Sequence, residues 1–304
     1  MQTTGFIGLG HMGGALARRL AAAGFPLAVY DLSATARANF QALGAAVCAS
    51  PRDVADRAAT VFLCLPSVEA AQAVARELAT GKAVRVVVET STVGPASVRE
   101  MAAMLSAHGI GIVDAPVSGG PKGAEAGTLS VMHAGAAEHV GTVRPQLQAL
   151  AGKQFDVGTQ PGLAQVCKLV NNAISAAAMV ASCEGVVLGV QAGLDAGTLV
   201  AAINAGSGRN AATLDKFPKS ILPGTFDYGG PLGLMLKDLS LFINEAAARG
   251  LPAGMAQAAF AGWSQAAARV GPEADYSELI RPYEDDAGVQ VRWRPASPPL
   301  PGNT

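Results

Sequence analysis

Charge is scarce in this 304-residue chain: Asp, Glu, Lys and Arg make up only 15% of it, with 22 basic residues against 23 acidic ones. A near-neutral chain has no electrostatic footprint for nucleic acid or an anionic membrane surface, and neither is expected as a partner. Aromatic residues are also few, at 5%, so Ala-rich helices must pack closely to build the core. The histidines His11, His108, His133 and His139 are scattered without ligand spacing, and no metal site is expected. Cys48, Cys64, Cys167 and Cys183 show no CxxC pairing and read as reduced, mostly buried thiols. A Gly-x-Ser-x-Gly elbow and a Walker loop are both missing. The N-terminus has no basic region followed by an apolar segment, and the apolar stretch 176–190 is interrupted by Ser182, Glu184, Gly185 and Gly189. That stretch reads as a buried helix, and the expectation is a soluble cytoplasmic protein.

What the chain does have is apolar residues, at 50%, and 36 glycines. The glycines matter most at TGFIGLGHMGGALARRL, residues 4–20, where a short apolar run enters a turn and an Ala/Leu-rich helical pattern follows. Gly8, Gly10 and Gly13 have the spacing G-x-G-x-x-G of a dinucleotide fingerprint. The first glycine permits the tight turn, the second lets backbone approach a pyrophosphate, and the third lets the helix pack close to its strand. The phosphates would rest on the helix N-terminus, where free N–H groups and the macrodipole favour an anion. A second strand pattern at 26–30 ends in Asp31, 18 residues past Gly13, placed to accept hydrogen bonds from the adenosine ribose hydroxyls. A carboxylate there repels a 2′-phosphate, so NAD is expected in preference to NADP.

From the N-terminus, strand and helix patterns alternate. Strands are expected at 45–48, 60–65, 83–89, 110–115, 129–134 and near 155–157, and helices at 35–43 behind the Ser33 cap, 51–57, 68–78, 94–106 and 137–150. Residues 116–127 read as a loop. The continuous apolar run TVFLCL suits a parallel strand covered on both faces. This alternation predicts an α/β fold, a doubly wound parallel sheet of the Rossmann type, over residues 1–161. After Gly162 no strand pattern recurs; 162–189 reads as one long helix that joins the sheet domain to an all-α domain spanning 162–290. The proline-rich residues 291–304 read as a disordered tail.

Three polar clusters interrupt the apolar background. Asp114-Ala-Pro-Val-Ser118-Gly119-Gly120 follows a strand, on the side where open α/β sheets bind ligands. Its glycine N–H groups and the Ser118 hydroxyl either hold a carboxylate or form a structural turn. In Gln165-Val-Cys-Lys168-Leu-Val-Asn171-Asn172, Lys168 and Asn172 share one helical face a turn apart. An ammonium and an amide so placed can bind and protonate a carbonyl or alkoxide oxygen, whereas an ordinary lysine merely snorkels from its helix. The Asn-Asn pair is costly in so apolar a helix, which argues against the ordinary case. The third cluster, Lys237-Asp238, is either an exposed helical turn or directed into a cleft.

With GFIGLGHMG, Asp31, LPS at 65–67, ETSTV at 89–93, DAPVSGG at 114–120, KLVNN at 168–172 and KD at 237–238 in order, the chain resembles the β-hydroxyacid dehydrogenases over residues 4–285. The resemblance implies an active site in a cleft between the two domains. Lys168 would be the catalytic lysine and Asn172 its partner on the substrate oxygens, while Ser118, Gly119 and Gly120 would bind the substrate carboxylate. Gly8, Leu9, Gly10, His11, Met12, Gly13, Asp31, Leu65, Pro66 and Thr92 would line the cofactor, and Lys237 would close over nicotinamide and substrate. The implied reaction is hydride exchange between NAD(H) and a small β-hydroxy acid or its semialdehyde, in a homodimer or homotetramer. The alternatives are an NADP-dependent reductase of glyoxylate or succinic semialdehyde, and a nucleotide-binding protein without catalysis. The chain departs from the family at Gly162-Leu163-Ala164, where Gly-x-Gly is usual. An added methyl at a close backbone approach bears on the local geometry rather than on the catalytic groups. Selectivity is expected near Lys122, Gly123, Ser207–Asn210 or Phe226–Gly230, which no motif places.

Overall fold

The computed structural model describes residues 2–293. These residues form two compact units, one up to Val170 and one from Asn171. The first alternates strand and helix: β1 (Thr4–Ile7), α1 (His11–Ala22), β2 (Leu27–Tyr30), α2 (Ala34–Ala42), β3 (Ala46–Val47), α3 (Pro51–Arg57), β4 (Thr60–Leu63), α4 (Val68–Leu78), β5 (Val86–Glu89), α5 (Pro95–Ser106) and β6 (Gly111–Asp114). It continues through β7 (Val117–Ser118), α6 (Gly120–Ala126), β8 (Leu129–Ala134), α7 (Ala137–Leu150) and β9 (Ala151–Gly158). Serine hydroxyls start three of the helices: Ser33, Ser50 and Ser67 each accept the N–H three residues on.

Among the described residues the strands join one sheet in the order β3-β2-β1-β4-β5-β6-β8-β7, with β9 on β8. β3 to β6 pair in parallel; β8 runs antiparallel to β6 and β7 and parallel to β9. Side chains alternate across the sheet. Phe6, Val29, Phe62 and Val88 enter one core with Leu16 and Leu20 of α1 and Val143 and Leu147 of α7. Ile7, Ala28, Leu63 and Val87 enter the other, with Val54 of α3, Leu78 of α4 and Met101 of α5. Both faces are covered, which is why these strands read as continuous apolar runs. The strand order reverses between β1 and β4, and that switch point is where doubly wound sheets open a crevice for ligands.

The structure corrects several expectations. Residues 116–127 are not a loop: they hold β7 and α6, made by antiparallel pairing of Val117 with Val131 and of Ser118 with Ser130. β9 covers eight residues rather than three, since a polar segment becomes a strand by pairing with β8 along its length. β4 ends at Leu63: the Cys64 N–H still donates to the Ile7 carbonyl, but the Leu65 N–H leaves the ladder for Ser91 Oγ.

The second unit contains most of α8 (Leu163–Gln191), then α9 (Ala196–Ala205), a π-helical segment (Ala212–Ile221), α10 (Leu232–Ala248), α11 (Gly254–Val270), a 3₁₀ turn (Tyr276–Ile280) and α12 (Arg281–Ala287). The long helix expected from 162 to 189 is present, and compactness divides the chain within it, two turns beyond residue 161. By length and composition α8 could cross a membrane. Its Ala176, Met179, Cys183 and Val186 nevertheless lie fully buried with Phe217, Leu239 and Trp263, the arrangement of a core helix. The Trp263 indole N–H donates to the Ala176 carbonyl at 3.2 Å, so the largest core side chain buries no unpaired donor.

Residues 291–293 do not belong to a disordered tail; the rest of that expectation, residues 294–304, lies outside the described residues. Val291 is fully buried, its N–H donates to the Glu284 carboxylate at 2.7 Å, and Arg292 pairs with the same oxygen at 2.7 Å. An apolar residue followed by an arginine reaches a buried acid that the proline-rich composition concealed. Glu284→Ala leaves the Val291 N–H without its acceptor and Arg292 without its carboxylate. It should cost the helical unit about 2–3 kcal/mol, measured as a lowered urea midpoint of the transition that Trp263 fluorescence reports.

Candidate active site

The β1–α1 turn shows why each fingerprint position is glycine. Gly8 has φ +93°, and a Cβ there would run into the Cys64 carbonyl of the neighbouring β4 turn. At Gly13 a Cβ would strike the Gly8 carbonyl, so α1 can sit against β1 only with hydrogen at that position. Above Gly10 there is nothing within 4 Å of a notional Cβ. That open face lies at the N-terminus of α1, whose first N–H groups have no partners within the helix. The turn therefore fits a pyrophosphate. His11 is exposed, Met12 half-buried, and Leu9 packs into the core while its N–H donates to Asp31 Oδ2 at 2.6 Å. Asp31 Oδ1 accepts the Ser33 N–H at 2.7 Å, so the carboxylate is oriented at the end of β2 by two backbone donors. Arg37 donates to the Asp31 and Leu32 carbonyls and lies over the Tyr30 ring.

Across the switch point, the β4 turn carries Leu65 and Pro66. The Leu65 N–H donates to Ser91 Oγ at 2.7 Å, tying that turn to residues 90–94 after β5, where Thr92 is half-buried. Thr90 Oγ1 donates to the Leu63 carbonyl at 2.6 Å. The Cys64 thiol is pushed up to about 12 by burial, so it is no nucleophile here. Ser118 is half-buried at the end of β7; Gly119 and Gly120 follow, exposed, with φ +128° and +66°, which L side chains rarely adopt. Residues of this kind expose successive N–H groups, the donors a carboxylate needs.

At the carboxyl end of β6 sits Asp114, fully buried, in register with Glu89 of β5. Its Oδ2 accepts the N–H groups of Gly162 and Gln165, both at 3.0 Å, and its Oδ1 accepts Gln165 Nε2 at 2.8 Å. It thereby caps α8 from outside the helix. Burial raises the Asp114 pKa from an ordinary 3.8 to about 6, opposed by the hydrogen bonds from Gln165 and Gly162. Lys168 lies one turn into α8 and is 9% exposed. Ala164, the departure from the family glycine, is fully buried against Met132 and Ala134. Its methyl fills space rather than forcing the backbone apart.

In the second unit, Asn172 Nδ2 donates to Asp238 Oδ2 at 2.6 Å, Asn171 Nδ2 donates to Asn172 Oδ1 at 3.1 Å, and Lys237 pairs with Asp238 Oδ1 at 2.9 Å. Asp238 is not an exposed helical turn: it is 7% exposed, and it orients Asn172 while balancing Lys237. Of the stretches expected to bear on selectivity, Phe226 is buried, with the Arg281 and Arg292 guanidinium groups 4.3 and 4.7 Å from its ring centre. Asn210 Oδ1 accepts the Ala212 N–H at 2.8 Å, where the π-helical segment begins. Both serve the fold of the helical unit. Sequence reasoning missed Gln165 and assigned Asp114 no role of its own. The one signal was a polar residue amid apolar neighbours at a helix start.

Two family models divide the chain between them: the NAD binding domain of 6-phosphogluconate dehydrogenase over residues 3–158, and the NAD-binding domain of NADP-dependent 3-hydroxyisobutyrate dehydrogenase over residues 162–283. The chain belongs to the β-hydroxyacid dehydrogenase family. It is 36% identical to 2-(hydroxymethyl)glutarate dehydrogenase of Eubacterium barkeri, over 94% of this chain and 96% of that one. It is 37% identical to an NAD-dependent L-serine dehydrogenase of Pseudomonas aeruginosa, over 79% of this chain and 84% of that one. Its fold matches the Mycobacterium tuberculosis 3-hydroxyisobutyrate dehydrogenase solved with L-serine at a TM-score of 0.86 and 32% identity, covering 93% of this chain and 99% of that one. It is thus an NAD(P)-dependent oxidoreductase that transfers hydride on small hydroxy acids.

The raised Asp114 pKa makes the stability of the fold depend on pH. The folded state holds this proton more tightly than the unfolded chain, whose carboxyl has its ordinary value of 3.8. Asp114 therefore contributes stability that is full below that value and is lost as pH rises through about 6. The difference in unfolding free energy between wild type and Asp114→Asn should shift in favour of the variant across that window and stay flat above it. A pH series of urea melts measures it.

Proposed function

We propose that the protein is an NAD-dependent dehydrogenase of a small β-hydroxy acid, with Lys168 as the proton-transfer group and Asn172 as a ligand of the substrate oxygens. The observation that carries this reading is a buried lysine on a helix whose N-terminus is bound to the ligand-binding edge of the sheet, with an oriented amide one turn further along. The nicotinamide cofactor supplies or accepts the hydride. Lys168 Nζ takes the hydroxyl proton as the carbinol becomes a carbonyl and returns it in the reverse direction. Asn172 donates to the same oxygen. Ser118 Oγ and the N–H groups of Gly119 and Gly120 hold the substrate carboxylate, which orients the carbinol carbon. Gly8 to Gly13 seat the pyrophosphate, Leu65, Pro66 and Thr92 line the cofactor, and Lys237 closes over nicotinamide and substrate. Candidate substrates are 3-hydroxyisobutyrate and L-serine, named for the relatives. The exposed Ile174 and Leu188 of α8 support self-association as a dimer or tetramer, which light scattering on the eluting protein checks.

The decisive assay follows NADH formation from NAD⁺ with 3-hydroxyisobutyrate, L-serine and 2-(hydroxymethyl)glutarate. Lys168→Ala should lower kcat by about 10²–10⁴-fold while NADH still binds in a fluorescence titration. Turnover by Lys168→Ala at the wild-type rate would sink the assignment.

The preference for NAD rests on Asp31, whose carboxylate repels a 2′-phosphate, and on Arg37 being turned onto backbone carbonyls. Asp31→Arg should raise the ratio of kcat/KM for NADP⁺ over NAD⁺ by about tenfold or more, the equivalent of roughly 1.4 kcal/mol. An unchanged ratio would remove Asp31 from the discrimination.

A further inference from the structure

Gln165 is fully buried, and its side-chain amide uses its whole hydrogen-bonding capacity. Oε1 accepts the N–H groups of Val93 and Gly94, both at 3.0 Å, while Nε2 donates to the Ser91 carbonyl at 3.0 Å and to Asp114 Oδ1 at 2.8 Å. The amide cannot turn over. A flip would set its NH₂ against two N–H donors and its oxygen against a carbonyl and a carboxylate. One side chain thus joins the end of β6, the loop that carries Thr92, and the first turn of α8. Through Ser91 Oγ it also reaches the Leu65 turn. Lys168 follows Gln165 by three residues, the next position on that side of the helix.

We propose that Gln165, held by Asp114, is the positioning residue that registers the lysine-bearing helix against the cofactor-lining loop. The inference rests on the reading of Lys168 as the proton-transfer group. Its substance is that hydrogen-bond polarity sets the placement of the amine: carboxylate at 114, amide at 165, and two N–H groups beyond. Nearby bulk alone would not set it.

The polarity can be reversed without changing size. Gln165→Glu puts a carboxylate against Asp114 and the Ser91 carbonyl. Adding Asp114→Asn restores a donor at that contact, since Asn Nδ2 can give to the Glu carboxylate while its oxygen still accepts from Gly162 and residue 165. Two readouts are taken on each variant. The first is kcat and KM for NAD⁺ with the hydroxy acid that turns over fastest among 3-hydroxyisobutyrate, L-serine and 2-(hydroxymethyl)glutarate. The second needs no turnover: lysine amines are reductively methylated with ¹³C-formaldehyde, and the Lys168 signal is identified by its loss in Lys168→Arg.

Gln165→Glu should lower kcat by about a hundredfold, with a smaller change in KM for NAD⁺, and should displace the Lys168 signal. The double variant should recover at least about tenfold of that kcat, as coupled sites do, and return the signal towards its wild-type position. If Gln165→Glu fails to melt cooperatively, Asp114→Asn carries the same two readouts. A wild-type Lys168 signal in a folded single variant, or a double variant no better than Gln165→Glu, overturns the positioning role. Full turnover by Lys168→Ala overturns the reading of the lysine instead, while a displaced Lys168 signal in Gln165→Glu would still uphold the positioning.

Discussion

A carboxylate fully removed from water is tolerated only when donors surround it, and Asp114 at the end of β6 meets that condition with two backbone N–H groups and one side-chain amide. Hydrogen bonds to a charged group are worth about 1.5–3 kcal/mol each, so the three of them offset part of the desolvation, which still wins and raises the acid's pKa to about 6. The consequence reaches far along the chain. One backbone donor is Gly162, just before α8, and the other is Gln165 in its first turn, so the acid anchors the start of a helix of 29 residues. The same helix then supplies Ala176, Met179, Cys183 and Val186 to the core of the second unit.

Close approach is the second constraint. With few aromatic rings to fill space, the sheet unit gains its density from backbone contact: Gly13 against the Gly8 carbonyl, and Gly8 against the β4 turn. Gly162, with φ +98°, fits where a Cβ would meet the Pro95 carbonyl at 3.0 Å. These contacts bring the β1, β4 and β5 turns together at the switch point, and the fingerprint turn keeps an open face over Gly10. The helical unit follows a different rule. There the rings of Trp263 and Tyr276 pack 4.6 Å apart, and buried polar groups are linked in chains such as Lys237–Asp238–Asn172.

Sequence by itself determined the features that depend on local periodicity and on glycine. Apolar runs located the strands from β1 to β6 and β8, the Ser33 cap located α2, and the G-x-G-x-x-G spacing with Asp31 located the nucleotide turn. It also supplied Lys168 and Asn172 as a pair, because a helical repeat of four residues is arithmetic. Tertiary structure alone decided what depends on a distant partner. β7 and β9 are strands only because β8 pairs with them, and residues 291–293 are held by Glu284, which takes Val291 and Arg292, and by the Leu222 carbonyl, which accepts the Trp293 N–H. Asp238 is buried only because it meets Asn172, 66 residues away. The role of Gln165 belongs with these: its partners lie 51 to 74 residues earlier in the chain. Hydrogen-bond complementarity between such segments leaves no period in a linear sequence.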